Sequence, residues 1–395
     1  MAVAQKMLEY MGKSSWIRKM FEEGARLKQI HGADKVFDFS LGNPNVPPPD
    51  AVHDKLRELV QNLAPGMHGY MPNAGLPETR AAVAAQLSSE KGLEISAEQV
   101  VMTCGAAGGL NIILKALLDP GDEVLTPVPC FVEYGFYADN HGGILKTVPT
   151  GDDFALDVEA VAKAVGPRTK VVLINSPNNP TGQIYSAAAL ERLADLLHQR
   201  SCEYGKSIYL VSDEPYCRIV YDGHRVPSVF AAYENSLITT SYSKDLSLPG
   251  ERLGFVAVHP QAADLEALMG ALTLANRILG FVNAPALQQR LVTELQGLCV
   301  DVSVYQRKRD VLVSGLRSAG YTLINPPGAF YLFPQSPVSD DVEFVRLLQD
   351  ENILVVPGTG FLGPGHFRIA YCVDDRTIEG ALPGFHRALQ RAKNL

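Results

Sequence analysis

The sequence has no Cys-x-x-Cys pair. Its six cysteines, Cys104, Cys130, Cys202, Cys217, Cys299 and Cys372, are scattered along the chain. That spacing argues against zinc ribbons and thioredoxin-type chemistry, and reduced thiols are the simple reading. No apolar run reaches the roughly 18 residues that a membrane span needs. The stretch from Met1 to Ser15 holds no long apolar segment of the signal-peptide kind, so a cytoplasmic location is expected. Excess positive charge is also lacking. There are 35 basic and 43 acidic side chains, for a net charge of −8. Nucleic acid is therefore not expected as a partner, because its phosphates demand clustered lysine and arginine. No Gly-x-x-x-x-Gly-Lys-Ser/Thr occurs, which weakens a nucleotide-binding reading. No internal repeat or low-complexity tract is visible. What the chain does have is length, 395 residues with 46% hydrophobic side chains. That is enough core for one or two domains.

Ser14-Ser15 can cap a helix from about Trp16 to Gly32, with Ile17, Met20, Phe21, Leu27 and Ile30 on one face. Val36 to Leu41 reads as a short strand. The proline-rich stretch Gly42 to Pro49 reads as a stiff crossing between domains. Helices are expected over Ala51–Leu63 and Pro77–Lys91. From Gln99 the pattern alternates. Short apolar runs at Val100–Thr103, Glu123–Thr126, Ile144–Val148, Val171–Ile174, Ile208–Val211, Leu237–Thr240 and Leu253–Val258 read as strands. Helical stretches such as Gly108–Leu118, Asp157–Val165 and Ser186–Arg200 separate most of them. That alternation predicts an α/β fold, a mostly parallel sheet covered on both faces. Ligands of such sheets bind outside the carboxyl ends of the strands. A long helical pattern from about Ala284 to Ala319 follows. A smaller mixed segment comes after it, with apolar stretches Tyr321–Ile324, Phe330–Phe333 and Ile353–Val356. The expected division is a large domain over 49–295 and a small domain from 1–48 with 296–395.

Several polar residues fall at the expected strand ends. Lys244 lies in Ser241-Tyr242-Ser243-Lys244, between two apolar runs, with Arg252 just beyond. A lysine so placed can act as an amine nucleophile that forms a Schiff base with a carbonyl. Hydroxyls at Ser241 and Ser243 together with the Arg252 guanidinium make a phosphate site. A Schiff-base lysine beside a phosphate site suggests pyridoxal phosphate. Gly105-Ala106-Ala107-Gly108-Gly109 lets backbone N–H groups approach a phosphate at a helix start. Phe131 can stack on a flat heterocycle. The Asn179 amide can donate to a ring oxygen or a carboxylate. Asp213 wants a cationic partner, and a pyridinium nitrogen is one. Tyr216 can donate to a ring hydroxyl oxygen. Arg368, flanked by apolar residues, wants an anion such as a substrate carboxylate. Each of these taken alone has an ordinary structural explanation: a tight turn, core packing, a helix cap or an internal salt bridge.

Taken together, these motifs resemble those of the class I/II aminotransferases of pyridoxal-phosphate fold type I. Tyr70 with Gly75 and Arg80 looks like the family's Tyr-x4-Gly-x4-Arg. Asn179-Pro180-Thr181-Gly182, Asp213 with Tyr216, Ser241-x-x-Lys244 with Arg252, and Phe367-Arg368-Ile369 match further motifs. Pro357-Gly358 with Phe361, and Gly328-Ala329-Phe330-Tyr331, also look familial. The resemblance implies ping-pong transamination between an amino acid and a 2-oxo acid, with Lys244 shuttling the substrate Cα proton. Aspartate or alanine with 2-oxoglutarate are among the pairs it implies. It further implies a homodimer with shared active sites, in which Tyr70 reaches the partner's phosphate and Gly42 approaches the substrate carboxylate. Arg277 resembles, loosely, an arginine that reads a distal carboxylate across the dimer. A C–S lyase or other eliminating enzyme on the same fold is the alternative. The phosphate loop departs from many relatives in carrying Ala106-Ala107 where they have Ser/Thr. Phe131 likewise stands where Tyr or Trp is more usual.

Overall fold

The computed structural model describes residues 2–12 and 16–393. The Ser14-Ser15 cap lies outside the described residues, as do the side chains of Ile17 and Phe21. The described residues form twelve strands. They are β1 (Phe37–Asp38), β2 (Val100–Thr103), β3 (Glu123–Val128), β4 (Ile144–Pro149), β5 (Thr169–Asn175), β6 (Tyr209–Asp213), β7 (Ser236–Ser241), β8 (Gly254–Val258), β9 (Tyr331–Leu332), β10 (Ile353–Leu354), β11 (Val356–Pro357) and β12 (Phe367–Ala370).

Seven of these form one sheet in the order β2-β8-β7-β6-β5-β3-β4. β8 runs antiparallel to both its neighbours, and the other pairings are parallel. The near-continuous apolar strands follow from burial on both faces. In β5, Val171 and Leu173 join one hydrophobic cluster, while Val172 and Ile174 join another. This is the two-residue alternation of a strand between two layers. Helices Gly105–Leu117 and Leu265–Ile278 cover the first face with Leu110, Ile113 and Leu272. Helices Pro77–Lys91 and Ala187–Tyr204 cover the second with Val83, Leu87 and Leu193. The seven strands and their mostly parallel order are as the alternation predicts.

A third cluster unites the chain ends. It joins Met20, Phe39 and Val46 to Tyr305, Leu312, Phe330, Phe344, Phe367 and Phe385. β1 pairs in parallel with β10, and β11-β12-β9 make a small antiparallel sheet.

Four expectations from periodicity differ from the structure. The strand expected over Val36–Leu41 shrinks to Phe37–Asp38, because its partner, β10, is equally short. Tyr321–Ile324 forms no strand. The helix after β2 begins at Gly105 rather than Gly108, so the small residues are its first turn. The long helix expected over 284–319 is two helices, Ala286–Thr293 and Val302–Ala319. The chain between them turns through Gly297 at φ 83°, a left-handed conformation that a continuous helix would not contain.

Candidate active site

The strands position the site by stopping together. Asn175 ends β5, Asp213 ends β6 and Ser241 ends β7, and each is buried. They edge a cavity of about 360 Å³ that also takes in Gly42, Phe131, Lys244 and Arg368. It therefore lies between the large sheet and the small antiparallel sheet that carries Arg368 on β12.

The Lys244 side chain is half-buried, and its amine donates to the Gly42 carbonyl at 2.8 Å. It lies 5.5 Å from the Phe330 ring centre and 5.9 Å from that of Tyr216. Burial pulls its pKa down to about 8, and the charges of Arg368 and Arg252 push the same way. The amine thus holds a titrating proton near neutrality, as a general base requires. Gly42 has no side chain for a steric reason. A Cβ there would overlap the Tyr331 hydroxyl.

Asp213 is the opposite case, an acid held out of water. Its Oδ2 accepts from the Tyr134 hydroxyl at 2.6 Å. Its Oδ1 is buried with no partner. Burial raises its pKa to about 7 against that hydrogen bond. An orphaned buried carboxylate oxygen calls for a donor or cation from outside the chain. Asn175 fastens the same strand end, with its amide donating to the Asp213 carbonyl and accepting from the Asn179 N–H.

Arg368 is sandwiched between the Tyr331 and Phe361 rings, at 4.7 and 4.6 Å. It donates to Asn179 Oδ1 at 3.0 Å and to the Ser40 carbonyl at 2.6 Å. Both acceptors are neutral, and its Nε is buried without a partner. The guanidinium is oriented but not neutralised, so it can take a carboxylate bidentately. Tyr216 and Tyr331 share a hydrogen bond at 2.7 Å. Phe131 packs edge-on against Tyr134 at 5.6 Å.

At the other end, Arg252 adopts φ 52° and donates to the Pro249 carbonyl at 3.0 Å. Gly105 faces it at φ 70°. A Cβ there would come within 2.9 Å of Arg252 Nη2, so both conformation and space require glycine. Ala106, Ala107, Ser241 and Ser243 complete this end. A guanidinium, hydroxyls and a helix start together can hold a phosphate.

The family model described as aminotransferase class I and II matches residues 34–384. The chain belongs to the class I and II aminotransferases. It is 34% identical to a probable aspartate/prephenate aminotransferase of Thermus aquaticus, over 91% of this chain and 92% of that one. It is 29% identical to aromatic-amino-acid aminotransferase 2 of Thermococcus litoralis, over 97% of each. Among solved structures, an aminotransferase from Eubacterium rectale superposes with a TM-score of 0.96 at 40% identity, over 99% of each chain. Aspartate aminotransferase from Thermus thermophilus with maleate gives 0.86 at 29% identity, over 98% of this chain and 100% of that one. Like its relatives, this aminotransferase depends on pyridoxal phosphate. The cavity suits that cofactor, because the unpartnered Asp213 Oδ1 and the Arg252 end offer places for a ring cation and a phosphate.

Two of the sequence candidates lie elsewhere in the chain. Tyr70 is 95% exposed on its loop. Arg277 is exposed near the end of helix Leu265–Ile278, in a shallow hollow with Asn73, Arg80 and Glu98. Neither lines the cavity. Conversely, Glu133, Tyr134, Tyr137 and Asn175 line it without having been singled out from sequence. A signal for Glu133 was present. It is an acid set among Phe131, Tyr134, Phe136 and Tyr137 just past a strand end, and the reasoning that flagged Arg368 applies to it equally. Tyr134 carried no comparable signal, since an aromatic in a helix is core more often than site.

Proposed function

We propose that this aminotransferase is a cytoplasmic homodimer that moves an amino group between an L-amino acid and a 2-oxo acid by ping-pong transamination. Pyridoxal phosphate, when bound, supplies the electron sink for the substrate Cα. Each residue then has one task. Lys244 would hold the cofactor through its amine and would take the proton from the substrate Cα. Its depressed pKa suits that work near pH 8. Asp213 keeps the ring nitrogen protonated, with Tyr134 holding the carboxylate in line. Phe131 would cover a ring face, Tyr216 would donate to the ring hydroxyl oxygen, and Asn179 would donate to a ring oxygen or a substrate carboxylate. Arg252, Ser241, Ser243 and the Gly105-Ala106-Ala107 turn take the phosphate. Arg368, held by Asn179 and Ser40, takes the α-carboxylate beside Gly42.

The observation that carries this reading is the set of unmet polar atoms around one cavity. Asp213 Oδ1 and Arg368 Nε are both buried without partners, and their side chains line the same cavity as a lysine with a depressed pKa. The exposure of Tyr70 supports the dimer, where this side chain would serve the partner's phosphate. The division into 49–295 and 1–48 with 296–395 belongs to the same proposal, and the separate hydrophobic clusters support it. None of the described helices is long and apolar enough to cross a membrane.

Borohydride reduction and peptide mapping should find the cofactor on Lys244, and an adduct on another lysine overturns the assignment. Half-reactions with single amino acids should convert the cofactor's absorbance without releasing ammonia. Pyruvate and ammonia formed with no 2-oxo acid present would instead indicate an eliminating enzyme.

A further inference from the structure

The cavity's charges can be matched one by one to the needs of the proposed reaction, and one is left over. Its cations are Lys244, Arg252 and Arg368, and its acids are Asp213 and Glu133. The lysine, the phosphate arginine, the α-carboxylate arginine and the ring-nitrogen aspartate each have a task. Glu133 has none. It opens the helix Glu133–Asn140, two residues after Phe131. Its Oε2 is sealed from water and has no hydrogen-bond partner. Among the described residues no cation stands within ion-pair distance of it. Burial pushes its pKa up, while its own backbone N–H and the charge of Arg368 pull the other way. The site therefore offers a substrate side chain one uncommitted carboxylate. It offers no uncommitted cation from this chain, since Arg277 lies outside the cavity.

We propose that Glu133 reads the substrate side chain, favouring amino acids with a cationic, hydrogen-bond-donating side chain of the lysine and arginine kind over dicarboxylic ones. The inference rests on the aminotransferase reading of the cavity. A guanidinium or ammonium brought to Glu133 pairs with a carboxylate oxygen that now has no partner. A distal carboxylate in the same place meets a like charge in a low-dielectric pocket, which is strongly disfavoured. A short apolar side chain such as that of alanine is indifferent to both.

The test uses the holoenzyme and three carboxylates that lack an α-amine and so cannot react: guanidinovalerate, valerate and glutarate. Each offers one carboxylate to Arg368 and differs in its tail. Calorimetric titration should show guanidinovalerate binding about tenfold or more tighter than glutarate. In Glu133→Gln that gap should close to about twofold, with valerate unmoved. Glutarate binding tightest to the wild type overturns the proposal, and so does a loss in Glu133→Gln that is equal for all three. If the variant does not fold, the wild-type order alone decides. A parallel measurement follows cofactor absorbance with arginine, lysine, glutamate and alanine. Absorbance unmoved by every amino acid would overturn transamination, whereas the titrations need no turnover and still decide the charge preference.

Discussion

Arg309 and Arg368 are equally buried, each 2% exposed, yet their surroundings differ in kind. Arg309 meets two carboxylates, Asp222 at 2.7 Å and Asp310 at 2.7 Å, and also donates to the Pro326 carbonyl. Arg368 meets only the neutral oxygens of Asn179 and Ser40 and keeps an unpartnered Nε. Both rest on aromatic rings. One charge is closed by the fold and the other is left open. A buried charge that the chain itself satisfies is part of the architecture. One that is oriented but unsatisfied is kept for a ligand, and its unmet desolvation cost is a reserve of binding energy.

The largest expected effect breaks that pair apart. Arg368→Met should lower kcat/KM for every amino acid by about 2–5 kcal/mol, the scale for truncating one partner of a buried charge pair. Its thermal stability should stay within about 1 kcal/mol, because the lost desolvation cost offsets two neutral hydrogen bonds. Arg309→Met should do the reverse. Asp222 and Asp310 are half-exposed and rehydrate, so about 1–3 kcal/mol of stability goes, with kcat/KM nearly unchanged. Kinetics and thermal melts on both variants check this, and equal activity losses would erase the distinction.

Asp213→Asn sharpens it. Turnover should fall by about tenfold to a hundredfold or more, the worth of a charge-assisted hydrogen bond. The cofactor-free variant should nevertheless be more stable than the cofactor-free wild type. The native pKa of Asp213 is raised to about 7 from 3.8. Below 3.8 the folded and unfolded states both hold the proton and nothing is lost. Between those values the unfolded state ionises first, so stability falls as pH rises, and the cost is complete above about 7. At pH 8 the variant should gain about 1–3 kcal/mol, and the gap should narrow towards pH 5. A gain that does not change with pH would mean Asp213 is no open charge.

The smallest effect concerns a residue that acts through another. Tyr134→Phe removes the hydrogen bond to Asp213 Oδ2 and should lower kcat by about fivefold, roughly 1 kcal/mol. The hydrogen bond holds the Asp213 pKa down, so its loss should extend to higher pH the range over which the cofactor-free protein loses stability as pH rises. A fall in kcat with no such movement would reduce Tyr134 to packing.

The large sheet was legible because both its faces are covered. Such strands read as short apolar runs, and the polar residue that ends each run announces the site. Asn179, Asp213 and Lys244 were found in that way, and Arg368 as a charge flanked by apolar residues. Where strands are two residues long, as at Phe37–Asp38, the pairing partner decides the extent and local pattern does not. The break at Gly297 was lost because a helical period continues on either side of it. Tyr134 and Glu133 escaped because an aromatic-rich helix start looks like core until its oxygens are seen to lack partners or to find Asp213. Arg277 and Tyr70 are legible only through resemblance, since neither lines the active-site cavity of its own chain.

The bond from Arg368 to the Ser40 carbonyl joins residues 328 positions apart. Ribosomes add about 5–20 residues per second, so Ser40 emerges roughly 15–70 seconds before its partner exists. Through that interval the large sheet can assemble from neighbouring segments, while Phe37–Asp38 waits for Ile353–Leu354. Synthesis order thus makes the substrate-carboxylate end of the pocket the last to mature. A chain cut short before Phe367 would keep every strand of the large sheet and lack the arginine that greets the amino acid.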